Sequence, residues 1–177
     1  MTEPREKTIL VVEDEPDVRA FISATLEDAG FQVATAANGL EAHNFVKEQK
    51  PDLVTLDLVM PRQSGVLFYK KLRTNPKWLD IPVLIVTAHA RDDLGMDDFN
   101  ELMKGKELPP PLGFLEKPVN PEALVRSVAQ ALGVDATGFP ETPMNQTRNE
   151  ILERLRSADG ETLRKVQEML NENRRKV

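Results

Sequence analysis

The stretch Leu53-Val-Thr-Leu-Asp57-Leu-Val-Met-Pro61 marks the centre of the predicted fold. Its first four residues are apolar or β-branched, as in a short strand buried on both faces, and the run ends at an aspartate. Three further runs end in polar residues: residues 9–12 before Glu13-Asp14, residues 83–86 before Thr87, and Phe114-Leu115 shortly before Lys117. Because the carboxyl ends of parallel strands share one edge of a sheet, we expect these polar groups to form a single site.

The alternation of segment types predicts the fold class. Apolar runs too short for helices alternate with stretches of helical period, which is the pattern of βα units around a parallel sheet. We therefore predict an α/β fold with a doubly wound five-stranded parallel sheet. The strands are expected at about residues 8–12, 32–36, 53–57, 82–87 and 113–116.

Capping and breaking residues predict the helix boundaries. Asparagine and serine cap the first turn of a helix, proline fits its first position, and glycine ends it. These signals place helices from Pro16 to Gly30, from Asn38 to before Pro51, from about Ser64 to Thr74, and from Asn120 to Gly133. Helical spacing predicts these core residues: Val18, Phe21, Ile22, Leu26, Ala42, Phe45, Val46, Val66, Phe68, Leu72, Leu124, Val125, Val128 and Leu132.

Composition excludes several classes of function. The chain has 177 residues and no cysteine, so it has neither disulfides nor thiolate metal sites. It shows no N-terminal signal pattern and no apolar run near the length of about 20 residues that spans a bilayer, so we expect a cytoplasmic protein without a membrane partner. Its net charge of −6 argues against broad nucleic-acid binding.

The predicted site gathers like charges that need a counterion. Glu13, Asp14 and Asp57 are expected within a few ångströms, and two such charges about 4 Å apart repel by roughly 4 kcal/mol at an effective dielectric of about 20. Mg²⁺ prefers oxygen ligands, keeps several waters and takes one or two carboxylates with a phosphate oxygen. Lys117 and Thr87 add a cation and a hydroxyl that suit a phosphoryl group. The residues therefore predict an Mg²⁺ pocket that also holds phosphate.

Taken together with Met60-Pro61-x-x-x-Gly65, the four strand ends resemble the receiver domain of two-component response regulators. The resemblance covers about residues 7–133 and implies a flavodoxin-like (CheY-like) sheet. It implies that Asp57 accepts a phosphoryl group from a histidine kinase or a histidine phosphotransfer protein, with Mg²⁺ held by Asp14 and Asp57. Such a protein is a signalling phospho-acceptor that catalyses only its own phosphorylation and dephosphorylation.

The resemblance implies one task for each residue, and the chemistry of the side chains fits these tasks. Asp57 is expected to be the nucleophile and to form an acyl phosphate. The backbone carbonyl of Val59 completes the Mg²⁺ ligands, and Glu13 acts through a bound water. Lys117 brings a point charge to a phosphoryl oxygen, and the Lys117-Pro118 bond is expected to be cis, as in the family. Thr87 donates its hydroxyl to a second phosphoryl oxygen and draws the following loop inward.

Two positions, Phe114 and His89, have more than one interpretation. Phe114 matches the aromatic residue whose rotamer follows Thr87 in this family and would help to switch the face formed by residues 88–118; the alternative is a simple core side chain. His89 is either a surface loop residue or a modulator of the water that attacks the phosphate. Val59 cannot hydrogen-bond that water, so slow self-dephosphorylation is expected. His43 falls on a polar helix face and receives no role.

The segment between Thr87 and Lys117 departs from the family pattern. It is several residues longer than a receiver needs and contains the run Pro109–Pro111, which cannot continue a helix and favours an extended conformation. Leu94, Phe99, Leu102 and Met103 still predict an amphipathic helix 4. Two interpretations stay open, a tolerated surface insertion or a remodelled partner surface.

The C-terminal region predicts a short helical output. Residues 134–146 form a linker, and residues 147–177 form a helical hairpin that opens with the capping box Thr147-x-x-Glu150. This segment is too short to bury both of its apolar stripes, so it needs the receiver, a target protein or a second copy. We favour a homodimer through residues 147–175. No recognition helix is evident, so DNA binding is not expected.

Two other classes of function fit parts of the pattern. A phosphatase of the haloacid-dehalogenase type needs a second aspartate two positions after Asp57, where this chain has Val59. A phosphorylation-independent pseudo-receiver typically lacks the acceptor or an acidic ligand, and this chain keeps both. We therefore predict a phospho-accepting response regulator with output through protein contacts.

Overall fold

A computed structural model describes residues 3–60, 64–88, 94–104 and 108–134, without the side chains of residues 94–96. Within these ranges the elements are β1 Thr8–Val12, α1 Pro16–Asp28, β2 Gln32–Ala36, α2 Gly39–Glu48, β3 Leu53–Leu56, α3 Gly65–Thr74, β4 Val83–Thr87, α4 Leu94–Met103, β5 Gly113–Glu116 and α5 Pro121–Leu132. His89, the linker beyond Val134 and the predicted hairpin 147–177 lie outside the described residues. No helix in the described ranges has the length and apolar content to span a bilayer.

The five strands form one parallel sheet in the order β2-β1-β3-β4-β5. Alternate side chains of β1 enter different apolar clusters. Ile9 and Val11 join the cluster beneath α1 and α5, whereas Leu10 and Val12 join the cluster beneath α2, α3 and α4. Because successive strand residues point to opposite faces, helices cover both sides of the sheet. The predicted doubly wound α/β fold is confirmed.

Side-chain caps set the helix starts where the sequence predicts them. The side chain of Asn38 accepts from the amides of Leu40 and Glu41, and those of Ser64 and Asn120 cap α3 and α5 in the same way. Each such cap contributes about 1 kcal/mol. α5 ends at Gly133, whose φ of 63° lies in the left-handed region that glycine adopts without strain.

One predicted core position is wrong, and two strands are each one residue shorter than predicted. Phe21 is 45% exposed, because Ile22 and Leu26, one helical turn apart, form the buried row of α1 and Phe21 lies about 100° around the helix from Ile22. β3 ends at Leu56, where its backbone pairing with β1 and β4 stops, so Asp57 begins the following loop. β4 likewise begins at Val83, one residue later than predicted.

Tyr69 anchors the proline segment to the domain. Its fully buried side chain on α3 donates a hydrogen bond of 2.7 Å to the carbonyl of Pro109, and its ring packs edge-to-face on Phe99 of α4 at 5.0 Å. The Arg73 guanidinium lies 4.8 Å from the ring centroid. Phe99 is buried as predicted. Described residues 108–111 have no regular secondary structure, so the anchoring comes from this contact and not from a continued helix.

Candidate functional site

The register of the sheet brings the predicted acidic groups together at its carboxyl edge. Val12 of β1 pairs with Leu56 of β3, so Glu13-Asp14 follows one strand beside Asp57 on the next. Carboxylate oxygens of these three residues lie within 4.8 Å of one another. Glu13 and Asp57 are 1% and 5% exposed, so two of the three charges are nearly removed from water.

Lys117 is the cation of this cluster. Its ammonium donates a hydrogen bond of 2.8 Å to Asp57 Oδ2, lies 2.8 Å from Glu13 Oε2 in an ion pair, and is 3.6 Å from Glu15 Oε1. β5 pairs with β4 up to Thr87, and the Lys117 amide donates to the Thr87 carbonyl at 2.8 Å. The Lys117-Pro118 peptide bond is cis, as expected.

The electrostatic balance of the cluster favours an additional positive charge. Burial, with the Asp57 charge, raises the pKa of Glu13 to about 7, although Lys117 opposes this shift. Burial also raises the pKa of Asp57, again against the hydrogen bond from Lys117. Burial tends to lower the pKa of Lys117, but its contacts with Asp57 and Glu13 outweigh that effect and raise it. One ammonium therefore does not neutralise the buried carboxylates.

The acceptor loop is held in place by backbone contacts. The Val59 amide donates a 3.0 Å hydrogen bond to Asp57 Oδ1, and the Gly65 amide donates to the Leu58 carbonyl at 3.1 Å. A Cβ at position 65 would overlap the carbonyl of Asp57, so only glycine lets α3 begin this close to the loop. This explains the glycine of the Met60-Pro61-x-x-x-Gly65 motif. The Thr87 side chain is fully buried at the end of β4.

Two residues of the site were missed by sequence reasoning. Arg19, one turn into α1, donates from Nη1 to the carbonyls of Glu13 (2.7 Å) and Asp14 (3.1 Å) and so fixes the acidic turn. The Glu15 amide donates to Glu13 Oε1 at 3.3 Å. The sequence did contain a signal for Arg19. It is a basic residue in the first turn of α1, the helix that follows the acidic pair Glu13-Asp14.

Phe114 lies on the surface, so its interpretation as a core side chain is wrong. Its side chain is 45% exposed on the edge strand β5, and its ring lies 6.0 Å from that of Phe99 in an edge-to-face arrangement. Exposed and half-buried residues alternate along β5, and Phe114 is one of the two exposed residues of this strand. The contact with Phe99 connects β5 to α4 within residues 88–118, the face that is expected to change on phosphorylation.

The acidic cluster fits a hard divalent cation. Three carboxylates converge, and among the described residues the buried Glu13 Oε2 is paired only with the Lys117 ammonium, which it shares with Asp57. An acceptor oxygen in that state suits a metal ion or one of its waters. Carboxylates with water and phosphate oxygens are the ligands that Mg²⁺ takes in proteins.

The fold and the site define a phospho-accepting signalling domain. Residues 9–129 match the family model for the response regulator receiver domain, and the chain belongs to this family. Receiver domains are phospho-acceptors in two-component signalling and not enzymes in the usual sense, and the family binds Mg²⁺ in its acidic pocket.

Similar proteins agree with this assignment. The chain is 36% identical over 135 residues to protein Rrf1 of Nitratidesulfovibrio vulgaris, covering 76% of this chain and 89% of that protein. It is 32% identical over 145 residues to the phosphate regulon transcriptional regulatory protein PhoB of Pseudomonas aeruginosa, covering 78% of this chain but 57% of PhoB. The fold is similar to the chemotaxis response regulator CheY4 of Vibrio cholerae, with a TM-score of 0.60, 29% identity and coverage of 71% of this chain and 98% of CheY4.

Proposed function

We propose that this chain is a response regulator in which Asp57 takes a phosphoryl group from a phosphohistidine of a histidine kinase or a histidine phosphotransfer protein. The arrangement of Asp57 carries the proposal. Its carboxylate is nearly buried at the sheet edge, with Oδ1 held by the Val59 amide and Oδ2 by Lys117. This orients the nucleophile before a donor arrives. A carboxylate oxygen attacks the phosphorus, the P–N bond breaks as the P–O bond forms, and the imidazole leaves with the electron pair.

The surrounding side chains stabilise the charge of the transferred group. Phosphoryl transfer depends mainly on positioning and charge neutralisation. Lys117 exchanges its hydrogen bond with the carboxylate for one with a phosphoryl oxygen, and the Thr87 hydroxyl donates to another. Bound Mg²⁺ would be held by Asp14, Asp57 and the Val59 carbonyl, with Glu13 acting through a water, and would neutralise negative charge on the phosphoryl oxygens.

The response to phosphorylation involves residues 88–118. When Thr87 turns toward the phosphoryl group, the adjacent loop follows, and Phe114 repacks against the end of α4. The 6.0 Å contact between Phe114 and Phe99 supports this role. Because Phe114 has no hydroxyl, the active arrangement depends on packing alone.

The proposed output runs through protein contacts and not through DNA, since the chain has a net charge of −6. The match with PhoB, a transcriptional regulatory protein, covers 57% of that protein, so it extends over the receiver and not over all of PhoB. A histidine kinase partner and a cytoplasmic location belong to this proposal.

We further infer that residues 147–175 mediate a homodimer. Apolar side chains at helical spacing in this segment, among them Leu155 and Leu163, would each gain roughly 1.5–3 kcal/mol on burial. Closed two-fold symmetry is the commonest arrangement for a self-associating chain. Light scattering should show Leu155→Asp with Leu163→Asp converting the dimer to a monomer while Asp57 phosphorylation persists. A wild-type chain that is monomeric with and without beryllofluoride, a phosphoryl mimic, would exclude the dimer.

Intact mass after incubation with a small-molecule phosphodonor tests the central proposal. We expect one added phosphoryl group, which disappears in Asp57→Asn and in the presence of EDTA. Asp80→Asn is the matched control, because Asp80 is an exposed carboxylate paired with Lys50. Labelling that persists in Asp57→Asn, or that proceeds equally well in EDTA, contradicts the proposed function.

A further inference from the structure

A groove between α2 and α3 lies outside the site described above. It has a volume of about 790 Å³ and is lined by residues of both helices and by the turn that follows α3. That turn leads into β4, and the last turn of α2 leads toward β3. Because the strands are parallel, this end of both helices lies toward the amino edge of the sheet, away from Asp57.

An aromatic pair forms one wall of the groove. The rings of His43 and Trp78 pack edge-to-face at 5.4 Å, and Trp78 also packs against the apolar cluster beneath α2, α3 and α4. His43, expected on a polar helix face without a role, is therefore a half-buried contact residue. Its buried Nδ1 has no hydrogen-bond partner among the described residues. The wall is therefore an edge-to-face aromatic pair in which one imidazole nitrogen is buried without a hydrogen-bond partner among the described residues.

The groove is positively charged in an acidic protein. Lys47, Lys71 and Lys77 line it, and none of its lining residues is acidic. The lysines that form ion pairs in the described part of the chain are Lys7, Lys50 and Lys117, and the three groove lysines are not among them. Burial and then the charges of Lys71 and Lys47 lower the pKa of His43, so the positive potential reaches the imidazole.

We propose that this groove is a docking site for an acidic, extended segment of a partner protein. Charge complementarity carries the assignment, because three ammonium groups from two helices and a turn surround an aromatic wall without a carboxylate to neutralise them. Trp78 is half-buried and supplies an aromatic contact surface of the kind that interfaces favour. The open form and the three lysines of the lining differ from the enclosed, mainly apolar pockets that bind small molecules. The acidic excess of the chain lies outside these three lysines, so it would repel a long polyanion such as a nucleic acid more than a short acidic segment that stays within the groove.

Docking at the groove leaves the phosphorylation edge free. The two surfaces lie at opposite edges of the sheet, so a partner can stay bound while Asp57 meets its phosphodonor. The proposal therefore does not rest on phosphorylation. Asp57→Asn should bind the acidic segment as the wild type does, which separates a failure of this inference from a failure of the proposed function.

Trp78 provides the test, because it is the only tryptophan of the chain. The probe is a ten-residue peptide of glutamate and aspartate with glycine spacers, added to the full-length protein while tryptophan fluorescence is recorded. We expect a saturable change that the glutamine and asparagine version of the peptide does not produce. NMR titration should show the pKa of His43 rising when the acidic peptide is bound, since the anion offsets the lysine charges; His89→Ala assigns the signal.

Charge-matched variants locate the binding surface. Lys47→Gln with Lys71→Gln and Lys77→Gln should weaken binding by about tenfold, as expected for the loss of three exposed charge contacts. Arg126→Gln with Lys70→Gln and Lys104→Gln removes the same charge from exposed positions outside the groove and should bind normally. The proposal is overturned if both triple variants bind alike, if fluorescence never saturates, or if single-stranded DNA or polyphosphate binds as tightly as the peptide.

Discussion

The two edges of the sheet have opposite electrostatic imbalances. At the carboxyl edge, three carboxylates converge, two of them share Lys117, and burial raises the pKa of Glu13 to about 7. Toward the amino edge, lysines surround His43 without a carboxylate in the groove, and burial together with those lysines lowers the pKa of that imidazole. The net charge of −6 describes neither region. Ligands of opposite sign relieve the two imbalances, a divalent cation at one edge and an anionic segment at the other.

The two edges should differ most in how much the free energy of unfolding falls when one lysine is removed from each edge. Lys117→Ala leaves buried carboxylates without their cation and should lower the free energy of unfolding by about 3 kcal/mol at pH 8 in EDTA. Lys71→Ala removes a lysine with no carboxylate partner and should change the free energy of unfolding by less than about 0.5 kcal/mol. Urea denaturation measures both. Equal losses would contradict the idea that the two lysines differ through their partners.

The metal-free protein should lose stability as the pH rises. The folded-state pKa of Glu13, about 7, lies above its ordinary value of 4.5, so its contribution is fully present below pH 4.5 and is lost as the pH rises through 7. The raised pKa of Asp57 acts in the same direction. We expect a decrease of a few kcal/mol in denaturation experiments between pH 5 and pH 8. Glu13→Gln, or saturating Mg²⁺, should reduce it, and an equally steep decrease in Glu13→Gln would contradict this account.

The lifetime of the acyl phosphate should depend on Val59. Its side chain is 45% exposed next to Asp57 and cannot hydrogen-bond the water that attacks the phosphoryl group. We therefore expect slow self-dephosphorylation, and Val59→Asn should shorten the lifetime several-fold by orienting that water. Loss of the added mass over time measures it. Val59→Ile, which also cannot hydrogen-bond the water, is the matched control and should keep the long lifetime; an unchanged lifetime in Val59→Asn would refute the role of this position.

The smallest expected effect concerns the imidazole of the groove. Lys47→Gln with Lys71→Gln should raise the pKa of His43 toward its ordinary value, because both charges now lower it. Lys70→Gln, on the outer side of α3, should leave it unchanged. NMR titration of His43 distinguishes the two. A pKa that does not respond to the double change would mean that burial alone accounts for the shift.

Local patterns in the sequence were sufficient for the elements and for the acidic site. The run that ends at Asp57, the acidic pair after β1 and the lysine after β5 each mark a strand end, and parallel strands bring those ends to one edge. Asn38 and Asn120 cap the helices that they were expected to cap, since a cap depends on residues only two or three positions apart.

Contacts between distant residues were not readable from the sequence and depended on the packing of elements. Tyr69 on α3 donates to the Pro109 carbonyl across 40 positions of the chain. The groove around His43 and Trp78 exists only because α2 packs beside α3. Periodicity and capping act over a few residues, so they predict where a strand ends and which groups follow it. Which helix faces meet, and how deeply each charge is buried, depends on long-range packing that no local pattern encodes.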